Sequence, residues 1–331
     1  MTRFRAAQRR LPLSKLLAAA GLSALCALAP AQAETYPSKP ISLIVSFEPG
    51  GSTDISARAV ATELAAALGQ NVVVENKPGA GGRIGTKIAA QAKPDGYTLL
   101  WGSGSSLTAA PVLYSDQDHV ATLMPVSVGA TQPFVFVTNP ASGVTTTADF
   151  IALAKKNPGK LNFGSAGTGS SNHLIGEIFM SATGAHLLHV PYKGAAAARN
   201  AVIKGEIDLM DEVTSPLVGA IRAKQVVPLF ITGETRDPLF PDIPTAAEVG
   251  LPDLTITGFF GLLAPSGTPP AIIEKLNAAM KVALDAPSVK KAFDNLGFAL
   301  AYSTPEQMQA RIDEGKAKYQ RIVSERKIKI E

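Results

Sequence analysis

From Ile41 onward, short β-branched runs alternate with alanine-rich stretches of helical periodicity, and that alternation commits the chain to an α/β sheet built from strand–helix units. ISLIVSF, Ile41 to Phe47, reads as a buried strand. The turn PGGSTD follows, then a helix over 53–68 in which Ile55, Ala59, Val60, Leu64 and Ala67 share one face and which Gly69 ends. A strand NVVVEN, a helix near 83–92, a PDG turn and a strand YTLLWG continue the pattern. PFVFV, Pro133 to Val137, reads as a strand leaving one lobe for another, because the alternation restarts after Asn139 and Pro140. There the spacing predicts helices over 147–156, 171–183 and 195–204 and strands near 161–167, 189–192 and 206–212. VVPLFITG is the return crossing, and a strand over 257–265 and helices over 269–286, 288–296 and 305–325 complete the chain. The expected organisation is a discontinuous first lobe, 34–137 plus 231–331, and an inserted second lobe, 138–230, with a cleft between them.

The first 33 residues have the three parts of a secretory leader: Arg3, Arg5, Arg9, Arg10 and Lys15, then an apolar run from Leu16 to Leu28, then Ala31-Gln32-Ala33 as a cleavage pattern. The mature chain is expected to start at Glu34. Cys26 follows Leu25, which does not fit a lipid-attachment site. Taking the five basic residues of the leader from the 31 Lys and Arg leaves 26 against 27 Asp and Glu, so no basic excess exists to neutralise nucleic-acid phosphates. The single cysteine lies in the leader, which excludes disulfides and thiolate metal sites from the mature chain. The remaining length exceeds what one core usually serves, in keeping with two lobes.

PGGSTD, Pro49 to Asp54, joins a strand to a helix and so leaves backbone N–H groups free at a helix N-terminus, where an anion can sit. Gly50 and Gly51 allow close approach of a ligand, and Ser52, Thr53 and Asp54 are natural N-caps with hydroxyls to spare. GSAGTGSSNH, Gly164 to His173, repeats this logic in the other expected lobe, with Ser165, Gly167, Thr168, Gly169, Ser170 and His173 as candidates. Neither loop holds Lys or Arg, which predicts a clamp of neutral donors suited to a small carboxylate. Ser103 and Gly104, after YTLLWG, would add a third wall. Glu48 beside this site either points away or meets a cationic part of the ligand.

Enzymatic signatures fail on spacing. Neither GxSxG, GxxxxGK[ST] nor GxGxxG occurs. His186 and His189 are three apart around two leucines, which is a poor start for a metal site, and no cofactor is expected. A secreted hydrolase using the same cleft would need a nucleophile beside a base, and only Ser170 with His173 could supply one.

YPSKPISLIVSFEPGGSTD, NVVVENKPGAGGRIG, KPDGYTLLWG, LNFGSAGTGSSNHLIGEIF, HVPYKGAAAA, GEIDLMDE and FFGLLAPSGTPP, in that order, closely resemble the solute-binding proteins of tripartite tricarboxylate transporters, the Bug type. The resemblance runs from about Tyr36 to the C-terminus. It implies a type II-like periplasmic binding protein whose two lobes hinge over a central cleft and close on a small carboxylate. It further implies export to the periplasm, no catalysis, a monomeric state and transient docking on membrane transporter subunits. A protein that reports its ligand to a sensor kinase would have the same sequence features. Carried over onto this chain, the ligand contacts are the two turns with Phe47, the neighbourhood of Ser103, the run Tyr192, Lys193 and Gly194, and Asp211. Glu48 stands where the family usually has Pro or Ala, and the segment 115–126 departs from the usual pattern.

Overall fold

The computed structural model describes residues 36–114 and 118–325, so the expected leader lies outside the described residues. From Pro37 onward the chain falls into one compact unit. Its strands are β1 (Ile41–Val45), β2 (Val72–Asn76), β3 (Thr98–Ser103), β4 (Leu123–Thr138), β5 (Asn162–Ser165), β6 (Leu188–Pro191), β7 (Leu209–Val213), β8 (Val227–Ile231), β9 (Thr257–Pro265) and β10 (Ala299–Leu300). They join in one sheet in the order β2-β1-β3-β9-β4-β7-β5-β6, with β8 and β10 also paired to β4. The principal helices are α1 (Ser52–Leu68), α2 (Arg83–Ala90), α3 (Thr147–Lys156), α4 (Ser171–Thr183), α5 (Ala195–Lys204), α6 (Pro270–Asp285), α7 (Pro287–Leu296) and α8 (Pro305–Glu325).

At one end of the sheet β1 pairs parallel with β2 and β3, and at the other β5 pairs parallel with β6 and β7. The long β4 joins the two, running antiparallel to β9 through its first part and to β7 and β8 through its last. Sequence reading caught only the last third of β4, because Pro125, Gly129 and Pro133 are breaker signals. The structure accommodates them with register shifts at Pro125/Ser127 and Val128/Ala130, bulges that let a strand bend from one half-sheet toward the other.

Each half has its own packing. Trp101 on β3 is fully buried and donates its indole N–H to Ser56 Oγ on α1 at 2.9 Å, tying strand to helix. On the far half, Phe136 stacks on Phe230 with ring centroids 4.4 Å apart and lies 5.3 Å from Phe179, which fastens β4, β8 and α4 together. Among the described residues no helix is long and apolar enough to cross a membrane.

In both parallel groups every strand points its carboxyl end at the loop that opens the next helix. In open α/β sheets that edge is where ligands bind. The turns 46–51, 77–82 and 104–106 lie there on one half, and 166–170, 192–194 and 214–215 on the other.

Candidate ligand-binding site

PGGSTD holds its shape through Asp54. Gly50 adopts φ +81°, a conformation that favours glycine, and its N–H donates to Asp54 Oδ2 at 3.0 Å. The same carboxylate accepts from Arg58 Nε at 2.9 Å and from Asn76 Nδ2 at 2.9 Å, while Asn76 Nδ2 also donates to Phe47 O. Burial works against the ionised form, but these hydrogen bonds outweigh it and hold the Asp54 carboxyl below its ordinary value. Asp54 is thus spent inside the turn. Gly51, not a side chain, occupies the N-cap, leaving first-turn N–H groups of α1 without helical partners. The Ser52 hydroxyl, expected as a cap, instead donates to Glu212 Oε1 at 3.3 Å.

In the second turn Ser170 is the N-cap of α4, its Oγ accepting from His173 N at 3.2 Å. Gly169 N donates to His173 Nδ1 at 3.3 Å, which assigns the proton to Nε2. Gly167 N donates to Ser165 Oγ, and that hydroxyl lies 2.7 Å from His189 Nε2. His173 and His189 stack with centroids 3.9 Å apart. His189 was absent from the sequence candidates; its position opposite Ser165 follows from the parallel register of β5 and β6, which no local pattern reveals.

Burial pushes the His173 imidazole down to about 4, and burial together with the His173 charge does the same to His189. Glu177 Oε1 lies 3.7 Å from His173 Nε2, and burial raises the Glu177 carboxyl, so this contact is not an ion pair at neutral pH. The sign of the linkage follows. The unfolded chain takes up protons near the ordinary 6.5, whereas the folded imidazole refuses them until about 4. Stability is expected to fall as pH drops from 6.5 to 4, by about 3 kcal/mol for His173 at about 1.4 kcal/mol per pH unit. Urea midpoints across that window check it, and His173→Asn should flatten the slope.

The two turns meet. A methyl built on Gly81 would lie 2.8 Å from Thr168 O and 3.2 Å from Ser170 N, so the loop after β2 touches the second turn backbone to backbone. Ser171 N donates to Ser105 Oγ at 2.8 Å, in a π-helical turn that follows β3. Phe47 packs with Ala166 and Ala195 in a small apolar cluster, and the Gly194 backbone lies against the Glu48 stem. Arg199 on α5 reaches Gly50 O at 3.4 Å, so a cation stands at the edge of the expected neutral clamp. Gly104 packs beside Phe259, and Tyr192 is tied by its N–H to Ser165 O. Lys193 is exposed.

Alternation along β7 separates its two acids. Asp211 turns to α4, where Asn172 Nδ2 donates to its carboxylate at 3.1 Å and to its carbonyl at 2.7 Å. Glu212, on the opposite face, is the one that meets Ser52. The family resemblance points to Asp211 and not to Glu212; a period of two says only that the two face opposite ways. Burial raises both carboxyls, Asp211 well above its ordinary value and Glu212 to about 7, against hydrogen bonding from Val213 N–H and the charge of Arg199. Ser103 Oγ, Asp211 Oδ1, Glu212 Oε2, Thr214 Oγ1 and Ser215 Oγ are buried with no partner among the described residues. Buried polar atoms are rarely left so, and these gather at the carboxyl ends of β3 and β7.

Residues 56–328 match the tripartite tricarboxylate transporter family receptor. The chain belongs to that family. BugT of Bordetella pertussis is 37% identical over 318 residues, covering 95% of this chain and 98% of BugT. Among solved structures, the periplasmic binding protein BugD is 31% identical with TM-score 0.85, covering 89% of this chain and 99% of that one. MatC from Rhodopseudomonas palustris, with bound malate, is 30% identical with TM-score 0.84, covering 87% and 100%. The receptor therefore has the α/β fold of periplasmic solute-binding proteins. Among its described residues no group of three or more His, Cys, Asp or Glu could hold a metal ion.

Proposed function

We propose that this receptor captures a small organic carboxylate between the turns Pro49–Asp54 and Ser165–His173 and delivers it to a membrane transporter. The observation that carries the reading is that both glycine- and hydroxyl-rich turns lie at the carboxyl ends of parallel strand groups, and that Phe47, just ahead of the first, packs on Ala166 of the second, whose Thr168 also meets Gly81 of the loop after β2. Malate in the MatC structure supports the ligand class. The division into lobes 34–137 plus 231–331 and 138–230, hinged at β4 and β8, is part of the same proposal, as are export by the leader 1–33 and a monomeric state. Gly50, Gly51, Ser52 and Thr53 hold the carboxylate from one side, and Thr168, Gly169, Ser170 and His173 close from the other. No chemistry is assigned to the cleft. Ser170 Oγ bonds the His173 backbone N–H and not its imidazole, which argues against the nucleophile–base pair of a hydrolase.

A thermal-shift screen of malate, adipate, citrate, benzoate and aspartate tests the reading. At least one carboxylate should raise the melting temperature by several degrees in proportion to its concentration. The double variant Gly50→Val/Gly51→Val should lose that rise while melting within a few degrees of the parent without ligand. A screen with no stabilising carboxylate, or an undiminished rise in the variant, would overturn it.

A further inference from the structure

Tyr114 bears on the second turn from the far side of the proposed cleft, and nothing in the carboxylate clamp uses it. It ends the short helix Ala110–Leu113, its N–H donating to Ala110 O at 3.0 Å. A methyl built on Gly169 would overlap Tyr114 Cε2 and lie 3.3 Å from Cζ and 3.4 Å from Cδ2 of the same ring. The ring edge therefore rests against the bare Cα of Gly169, in the turn that opens α4. Arg83, the first residue of α2, stands over that ring with its Cζ 3.9 Å from the centroid, within range of a cation–π contact. Arg83 follows directly on the loop whose Gly81 meets Thr168 O and Ser170 N. Ser105 Oγ accepts from Ser171 N. Segments far apart in the sequence thus converge on residues 168–171, and Tyr114 is the large side chain among them.

We propose that Tyr114 is a positioning residue for ligand capture: its ring, held by Arg83, latches the turn 168–171 in the closed arrangement and acts on the ligand through that turn. The proposal rests on the reading of two lobes that close on a carboxylate. A contact made only after closure slows opening, and so slows release, while the encounter that precedes closure is left as it was. Glycine at 169 is what lets the ring approach, since any side chain there would prop the turn away from it.

Stopped-flow kinetics with whichever carboxylate stabilises the parent test this. Tyr114→Ala is expected to release ligand at least tenfold faster, with the association rate within twofold of the parent and the ligand-free melting temperature within a few degrees. Tyr114→Phe keeps the ring and should bring release back to within twofold. Gly169→Ala/Tyr114→Ala should bind more tightly than the product of the two single losses, because the added methyl no longer meets a ring. A second readout needs no ligand: with Cys26→Ser and spin labels at the exposed positions Lys93→Cys and Lys160→Cys, Tyr114→Ala should lengthen the distances between labels and Tyr114→Phe should not. The latch is overturned by unchanged release in Tyr114→Ala, by a loss that falls on association instead, or by Tyr114→Phe behaving as Tyr114→Ala does. Failure of every carboxylate to stabilise the parent defeats the carboxylate reading; the label distances then decide, and identical distributions in parent and Tyr114→Ala overturn the latch as well.

Discussion

Gly81→Ala is expected to weaken carboxylate binding by about 10- to 100-fold while lowering the melting temperature of the ligand-free protein by only a few degrees. Gly81 sits in a 3₁₀ turn at φ +64°, where alanine costs on the order of 1 kcal/mol whatever the neighbouring loops do. The larger penalty arises only where the loop after β2 meets the second turn. There the new methyl would lie 2.8 Å from Thr168 O, 3.1 Å from Gly169 C and 3.2 Å from Ser170 N, all backbone atoms with no side chain able to swing aside. Overpacking of this kind costs about 1–3 kcal/mol, and each 1.4 kcal/mol is a factor of ten in affinity. On the proposed hinge, separating the loops removes the clash, so a ligand-free protein that opens escapes it and the ligand must supply the difference. Gly69→Ala is the control: its φ is +70°, yet nothing lies within 4 Å of the added methyl. Calorimetry with whichever carboxylate stabilises the parent should show the loss in Gly81→Ala and not in Gly69→Ala. Equal affinities in all three would mean that closure of these loops is not part of binding.

The sequence made the elements legible because their periods are strong. Helices α3, α4, α5 and α8 have the predicted bounds, and β9 does too. Both turns were legible as well, since glycine and hydroxyl residues between a β-branched run and a helical stretch have few other uses. What could not be seen was set by tertiary register. His189 faces Ser165 because β5 and β6 pair as they do, and Arg199 reaches Gly50 O across 149 residues. Asp54 was legible as part of the turn, but the partners of its carboxylate, Arg58 and Asn76, were not. The long β4 was hidden by two prolines that only a bulged strand can absorb.

Glu212→Gln is expected to stabilise the protein above pH 7 and to leave it unchanged near pH 4.5. The Glu212 carboxyl stays protonated in the fold up to about 7, whereas the unfolded chain ionises near 4.5, so stability is lost as pH rises through that window. At about 1.4 kcal/mol per pH unit the loss reaches about 3 kcal/mol by pH 7, and an amide, which never ionises, avoids it. His173 and His189 lose stability in the opposite direction over much of the same range, so the parent profile is flat where the variant's should tilt. Arg199 is the charged group that acts on Glu212, and it remains in the variant. The same proton matters for the ligand. A neutral Glu212, bonded to Ser52 at the edge of the first turn, does not repel a bound carboxylate; an ionised one does. Carboxylate affinity of the parent should therefore decline as pH rises through 7 and hold steady in Glu212→Gln. A parent affinity that rises across pH 7 would place a positive ligand group, not a carboxylate, against Glu212.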